Sequence, residues 1–126
     1  MSDPIPRTSV QRHILLIEDS EDVRDLVAEI LREADYEVDA AATMSDGIAL
    51  LHLRQYDLVI SDAKLPDGSG IDIADAATDR GAATLIITGY DFTLAPEQRT
   101  RYKIMLKPFL PVELIHAVES ALPPRS

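Results

Sequence analysis

The sequence predicts an α/β domain built as a doubly wound sheet of five parallel strands. Two observations support this prediction. Short apolar runs recur along the chain, at 13–17, 58–60 and 83–88, and such runs are typical of strands buried on both faces of a parallel sheet. Helical patterns separate the runs, so the connections are right-handed crossovers that place helices on both faces. We expect the flavodoxin-like strand order 2-1-3-4-5.

The individual elements follow from the chain in order. Ser20 suits the N-cap of the first helix, Gly81 the C′ position of the third, and Pro111 the first turn of the last. Little amphipathic pattern appears at 91–101, so we expect a short or poorly formed fourth helix after Pro96. The predicted strands are 13–17, 36–41, 57–61, 83–88 and 103–106. The apolar stripe of the first helix consists of Val23, Leu26, Val27, Ile30, Leu31 and Ala34.

Size and composition restrict the class of protein. The chain has 126 residues, of which 46% are hydrophobic, and this suffices for one domain with a core. No apolar run has the length of a membrane span, and the absence of cysteine excludes disulfides and thiolate metal sites. The net charge of −10 would repel nucleic acid and anionic membranes. We expect a disordered leader at 1–11, a folded domain at 12–123 and a tail at 124–126.

Polar side chains lie at the carboxyl ends of four predicted strands. Glu18 and Asp19 follow the first strand, Asp62 follows the third, Thr88 ends the fourth and Lys107 follows the fifth. The first and third strands are neighbours in the predicted order, so their acids meet at the edge where open α/β folds bind ligands. At an effective dielectric of about 20, two such charges roughly 4 Å apart repel by about 4 kcal/mol. The cluster therefore needs a cation, or one carboxyl that stays protonated.

The candidate ligands are hard oxygen atoms, and this favours Mg²⁺ as the cation. Mg²⁺ keeps some of its water ligands and binds phosphate oxygens, so such a site suits phosphoryl transfer. Asp62 could act as the nucleophile and form an acyl phosphate. Lys107 would then neutralise phosphoryl oxygens together with the ion, and Thr88 would donate a hydrogen bond to one of them.

These residues also resemble a known family. The set Glu18-Asp19, Asp62, Pro66, Gly70, Thr88 and Lys107-Pro108, within 13–122, is similar to the receiver domain of bacterial two-component response regulators. The resemblance implies that Asp62 is the phosphoacceptor and that Glu18, Asp19 and the backbone carbonyl of Lys64 hold Mg²⁺. It also implies that Lys107 contacts the phosphoryl group, that Thr88 is the switch hydroxyl, and that the Lys107–Pro108 bond is cis.

The resemblance further implies a cytoplasmic signalling domain rather than an enzyme. Such a domain accepts its phosphoryl group from a histidine kinase or a histidine phosphotransfer protein and acts on a downstream protein target. The length accommodates no DNA-binding or enzymatic output domain, so we expect a single-domain receiver without direct nucleic-acid binding or membrane insertion. Its signal would leave through protein contacts, or the domain would act as a phosphate sink for a shared kinase.

Some positions depart from the family's pattern. Ile104 stands three residues before the lysine, where the family often has an aromatic residue that reorients with the threonine. Tyr90 or Tyr102 would then serve as the aromatic residue that reorients with the threonine. The run from Thr88 to Tyr90 resembles the end of a Phe-Ala-Thr-Gly-Tyr motif found in a subgroup of stand-alone receivers. In the family, side chains at the positions of Lys64 and Tyr90 overhang the site, so we expect both to control access of the hydrolytic water.

Two other classes of protein compete with this interpretation. A flavodoxin-like cofactor binder would need a phosphate-binding loop after the first strand, where residues 18–22 are almost all acidic. An aspartate-nucleophile phosphatase typically has a second aspartate two residues after the first, where this chain has Lys64. Singly, Asp19, Thr88 or Lys107 would be an ordinary capping or surface residue, but their joint occurrence at strand ends favours the receiver.

Overall fold

The protein, analysed as a computed structural model, is described at residues 11–89 and 95–124. Its strands are β1 (His13–Ile17), β2 (Glu37–Ala41), β3 (Leu58–Asp62), β4 (Lys64–Leu65), β5 (Gly68–Ser69), β6 (Ala83–Thr88) and β7 (Ile104–Leu106). Its helices are α1 (Glu21–Glu33), α2 (Met44–Leu53), α3 (Gly70–Asp79), α4 (Pro96–Arg101) and α5 (Pro111–Ala121). The main sheet has the order β2-β1-β3-β6-β7 with every pair parallel. The predicted doubly wound topology is therefore confirmed.

The core lies on both faces of this sheet, because alternate residues of a strand point to opposite faces. Ile14 and Leu16 of β1 belong to the layer that contains α1 and α5. Leu15 and Ile17 belong to the layer that contains α2 and α3. All four residues are at most 1% exposed, so β1 is buried on both faces, as its apolar run predicts.

Helix α1 begins after Ser20, whose Oγ accepts a hydrogen bond from the Val23 amide at 3.5 Å, as expected of an N-cap. Val27 and Leu31 of the predicted stripe are buried against the sheet. Leu26 also belongs to this stripe, but it is 56% exposed. It lies at the margin of the stripe, and a margin stays exposed where no neighbouring element covers it.

Other elements differ from the predictions only in detail. Helix α4 has six residues, which confirms a short fourth helix. Gly81 follows α3 with φ of +87°, the left-handed conformation that favours glycine after a helix. Pro66, Asp67, Gly68 and Gly70 predict a turn after Asp62, and the structure has this turn between the antiparallel strands β4 and β5. Strands of two residues leave no periodic signal in a sequence, so the pattern gave no indication of the strand pairing on either side of the turn.

Some predictions fall on parts of the chain that are not described. The predicted leader at 1–11 lies outside the described residues except for Gln11, as do residues 125–126 of the tail. The domain boundaries at 12 and 123 remain a prediction. Within the described ranges, no helix combines the length and apolar character that crossing a membrane requires.

Candidate functional site

Three acidic side chains meet at the carboxyl edge of the sheet. Glu18 and Asp19 follow β1, Asp62 ends β3, and these two strands are paired in parallel. One carboxylate oxygen from each residue lies within 4.8 Å of the others. This proximity follows from the strand order and the register, because Ile17 of β1 pairs with Ser61 of β3 and the two strands end side by side.

Lys107 supplies a cation to the acidic cluster. Its Nζ donates a hydrogen bond to Asp62 Oδ2 at 2.8 Å and another to Glu18 Oε1 at 3.1 Å. Its backbone N–H donates to the Thr88 carbonyl at 2.8 Å, which places the residue just beyond β7 at the same edge. The Lys107–Pro108 peptide bond is cis. The ammonium group therefore bridges two of the acids, while Asp19 stays outside the bridge.

Burial changes the acidity of the bridged groups. Glu18 is 3% exposed, and burial raises its pKa above 4.5 although hydrogen bonds from the Ser20 amide and Lys107 oppose the rise. Burial alone would lower the pKa of Lys107, but hydrogen bonds and attraction to Asp62 and Glu18 outweigh it, so the pKa is raised. Lys107 is consequently protonated at neutral pH. Its ammonium pairs with two of the three carboxylates, while the Arg24 guanidinium donates to the backbone carbonyls of Glu18 and Asp19.

An open cavity of about 390 Å³ lies next to the cluster. Its lining includes Asp19, Asp62, Lys64, Thr88 and Lys107. Thr88 is 3% exposed, and its Oγ1 donates to the carbonyl of the next residue at 3.2 Å. The Lys64 amide lies 3.4 Å from Asp62 Oδ1, and the Lys64 side chain is exposed. Asp19, Asp62, Lys107 and Thr88 therefore line one space that is open to solvent.

Two of the three positions that bear on a reorienting aromatic residue, Ile104 and Tyr102, lie deeper in the structure. Ile104 is partly buried against a small cluster that contains Tyr102. Tyr102 is 8% exposed, and its hydroxyl donates a short hydrogen bond to Asp75 of α3. The Arg101 guanidinium lies over the Tyr102 ring, and its Nη2 is 3.8 Å from Asp75 Oδ1. Tyr90 lies outside the described residues.

Two features next to the site were not predicted from the sequence. Asp67, interpreted only as a turn residue, accepts hydrogen bonds from the backbone amides of Met44 and Ser45 at the start of α2. A Cβ atom at Gly70 would lie 2.2 Å from the Asp62 carbonyl oxygen, so only glycine fits there without a backbone shift. The turn pattern indicated a tight bend, but no local pattern names a partner 22 residues away.

The donor set fits a magnesium ion. The cluster offers three carboxylates, one of them buried, and oxygen donors of this kind suit Mg²⁺ rather than a soft metal. A single ammonium group leaves an excess of negative charge in a partly desolvated position. A divalent cation would relieve that excess, so the prediction of a metal site is consistent with the residues present.

Comparison with known proteins identifies the class. The strand order and the position of the site define a flavodoxin-like domain with a polar carboxyl edge. The family model for the response regulator receiver domain matches residues 14–119. This chain therefore belongs to the receiver domain family of two-component systems, whose members are signalling domains rather than classical enzymes.

Relatives and solved structures agree with this assignment. The transcriptional regulatory protein PdtaR of Mycobacterium tuberculosis is 34% identical over 119 residues, which cover 90% of this chain and 58% of PdtaR. The regulatory protein VanR of Enterococcus faecium is 30% identical over 115 residues, 86% of this chain and 49% of VanR. The chain thus spans about half the length of these relatives.

Solved structures show the same fold. A CheY-like receiver domain protein from Methanospirillum hungatei has a TM-score of 0.77 at 27% identity, covering 87% of this chain and 92% of that one. The chemotaxis response regulator CheY4 of Vibrio cholerae, at 24% identity, has a TM-score of 0.78 with 90% and 100% covered, and shows the fold alone.

Proposed function

We propose that this protein accepts a phosphoryl group on Asp62 from the phosphohistidine of a histidine kinase or a histidine phosphotransfer protein. One observation carries the proposal: three carboxylates lie within 4.8 Å of one another, and the Lys107 ammonium contacts Asp62, one of the two acids that line the cavity. An acidic cluster on its own would repel a phosphate. The same cluster with a lysine and a divalent cation binds one.

The reaction transfers one group between two nucleophiles. A carboxylate oxygen of Asp62 forms a bond to phosphorus while the P–N bond breaks, and the electron pair of that bond returns to the donor's imidazole nitrogen. Lys107 lies 2.8 Å from Asp62 Oδ2, so its charge is placed to stabilise the negative charge that spreads over the phosphoryl oxygens. Thr88 lines the same cavity and can donate its hydroxyl to one of those oxygens.

Magnesium is the cofactor that we assign to this reaction. Glu18, Asp19, Asp62 and the backbone carbonyl of Lys64 would hold the ion, with Glu18 contributing directly or through a water molecule. When bound, the ion supplies positive charge to the oxygens of the transferred group. Lys107 can then exchange its contacts with the acids for contacts with the phosphoryl group, because its side chain is 29% exposed at the rim of the cavity.

Phosphorylation would act on protein partners by changing the surface next to the site. Thr88 ends β6 and Lys107 follows β7, so a phosphoryl group that draws both residues toward it biases the β6, α4, β7 and α5 region. Helix α4 is the shortest helix that the structure describes, and a short helix shifts at low cost. We assign the contacts with a downstream protein to this region.

The test is covalent labelling with a small phosphodonor. Incubation of the purified chain with acetyl phosphate and Mg²⁺ should add one phosphoryl group to the intact mass of the wild type and none to Asp62→Asn. The matched control is Asp57→Asn, which changes the aspartate just before the start of the same strand and should be labelled like the wild type. Chelation of Mg²⁺ should abolish labelling of both competent proteins.

Two results would contradict the proposal. Equal labelling of Asp62→Asn and the wild type would show that another residue is the acceptor. Sustained release of inorganic phosphate from a phosphate monoester, lost in Asp62→Asn, would instead indicate an aspartate-nucleophile phosphatase.

A further inference from the structure

The hairpin β4–β5 connects the acidic cluster to helix α2. It begins two residues after Asp62 and includes Lys64, whose backbone carbonyl we assign to the metal site. Its base is fixed, because Gly70 N–H donates to the Ala63 carbonyl at 2.8 Å and Leu65 is buried in the core. Its tip projects toward the first turn of α2.

At that tip, Asp67 binds two backbone amides of α2 with its two oxygens. Oδ1 accepts from Met44 N–H at 2.7 Å and Oδ2 from Ser45 N–H at 3.0 Å. These amides have no partner within their own helix, and the positive end of the helix dipole attracts a carboxylate. The two bonds lower the pKa of Asp67, so the carboxylate is ionised throughout the neutral range.

The hairpin and the helix are also in direct steric contact. A Cβ atom built at Gly68 would lie 2.5 Å from the end of the Met44 side chain, so β5 passes against the first residue of α2. Helix α2 has its own N-cap, since the Thr43 hydroxyl accepts a hydrogen bond from the Asp46 amide at 3.1 Å. Its first turn is thus capped twice, once locally and once by a carboxylate from another element.

The geometry points to Asp67 as a positioning residue for the metal site: by binding α2, its carboxylate holds the β4–β5 hairpin so that the Lys64 carbonyl faces the acidic cluster. This inference rests on the proposed function, because it concerns the same Mg²⁺ ion. Without Asp67 the hairpin keeps its base and its packing against Met44 but loses both hydrogen bonds to α2 at the tip. The Lys64 carbonyl then samples more positions, and the binding of Mg²⁺ has to order it.

The experiment compares Mg²⁺ affinity among variants of the full chain, measured by NMR chemical-shift titration. We expect Asp67→Ala to raise the dissociation constant about tenfold, the lower end of the range for groups that support metal ligands. Asp67→Asn keeps one acceptor oxygen and should give an intermediate value. If Asp67→Ala is too unstable to titrate, Asp67→Asn against the same controls decides the question.

Two control variants test whether a weaker Mg²⁺ affinity in Asp67→Ala comes from the lost negative charge or from a less stable α2, rather than from a misplaced hairpin. Asp46→Asn removes the same unit charge from the same helix end, and Thr43→Ala removes the local cap without touching the hairpin. Both should bind Mg²⁺ within about twofold of the wild type. The Asp46 charge is exposed and therefore screened in buffer, and Thr43→Ala leaves both hydrogen bonds of Asp67 in place. Thermal unfolding of each variant shows whether affinity and stability change together.

The possible results separate the role of Asp67 from the proposed function. A wild type that binds Mg²⁺, together with an Asp67→Ala variant that binds it equally well, overturns the role of Asp67 and leaves the proposed function intact. Equal weakening in Asp67→Ala and Thr43→Ala also overturns it, since helix stability would then explain both. A wild type that binds no Mg²⁺ overturns the proposed function and this inference together.

Discussion

The sheet carries acid–base pairs at both of its edges, and the two sets differ in burial and in charge balance. At the amino edge, His13 and Glu37 lie 3.2 Å apart with side chains 39% and 49% exposed. At the carboxyl edge, Lys107 contacts Glu18, whose side chain is 4% exposed, and Asp62, at 13%. Exposed pairs contribute little to stability, whereas partly buried charges interact strongly with whatever is near them.

The comparison shows where to look for chemistry in such a fold. At the amino edge, His13 faces Glu37 and both side chains are well exposed to water. Water screens this pair, so it provides little electrostatic free energy for binding an ion. At the carboxyl edge one ammonium pairs with two of the three clustered acids, and the unbalanced charge makes the edge receptive to a cation. Three variants test this difference.

The largest effect is expected for Lys107→Met. Removing the ammonium leaves Glu18 and Asp62 buried without their cation, which should lower the free energy of unfolding by roughly 2–4 kcal/mol in metal-free buffer. Mg²⁺ should restore a large part of the loss, because a ligand that binds only the folded state stabilises it. Urea unfolding in the presence of a chelator and of Mg²⁺ measures both quantities. Lys103→Met, an exposed lysine just before β7, is the matched control and should change stability by less than about 0.5 kcal/mol.

A smaller effect on stability is expected for Glu18→Gln, and its sign depends on whether Mg²⁺ is present. Because burial raises the pKa of Glu18, the folded chain binds more protons than the unfolded chain between pH 4.5 and the folded pKa. This residue's contribution to stability therefore falls as the pH rises through that window. In metal-free buffer at neutral pH, Glu18→Gln should melt at a higher temperature than the wild type.

In the presence of Mg²⁺ the order of the two melting temperatures should reverse, because the ion binds an ionised carboxylate more strongly than a neutral amide. Melting curves from acid to neutral pH, with chelator and with Mg²⁺, provide the measurement. Identical pH profiles for the two proteins in metal-free buffer would show that ionised Glu18 carries no cost.

The smallest effect is expected at the amino edge, for Glu37→Gln. The contact with His13 is exposed, so its loss should change the free energy of unfolding by less than about 0.5 kcal/mol at any pH. Chemical denaturation at acid and neutral pH is sufficient to measure this. A change above 1 kcal/mol would mean that the two edges are energetically alike, which contradicts the comparison.

Much of the fold and the proximity of the acids follow from the sequence, because both depend on strand patterns. The apolar run of β1 predicts a strand buried on both faces, and the strand order then brings Asp19 and Asp62 together. The exposure of Leu26 could not be predicted in this way, since helical spacing identifies a stripe but not its width. The contact between Asp67 and α2 depends on tertiary packing, and turn chemistry alone specifies only the bend.

Gly70 shows how a residue without a functional group can be as demanding as one that reacts. Any side chain there would press on the peptide of Asp62. A saturation-mutagenesis screen scored on signalling output would therefore rank Gly70 with the acids and the lysine. Such intolerance reports a lack of free space, so genetic sensitivity alone would overstate the number of residues that participate in the chemistry.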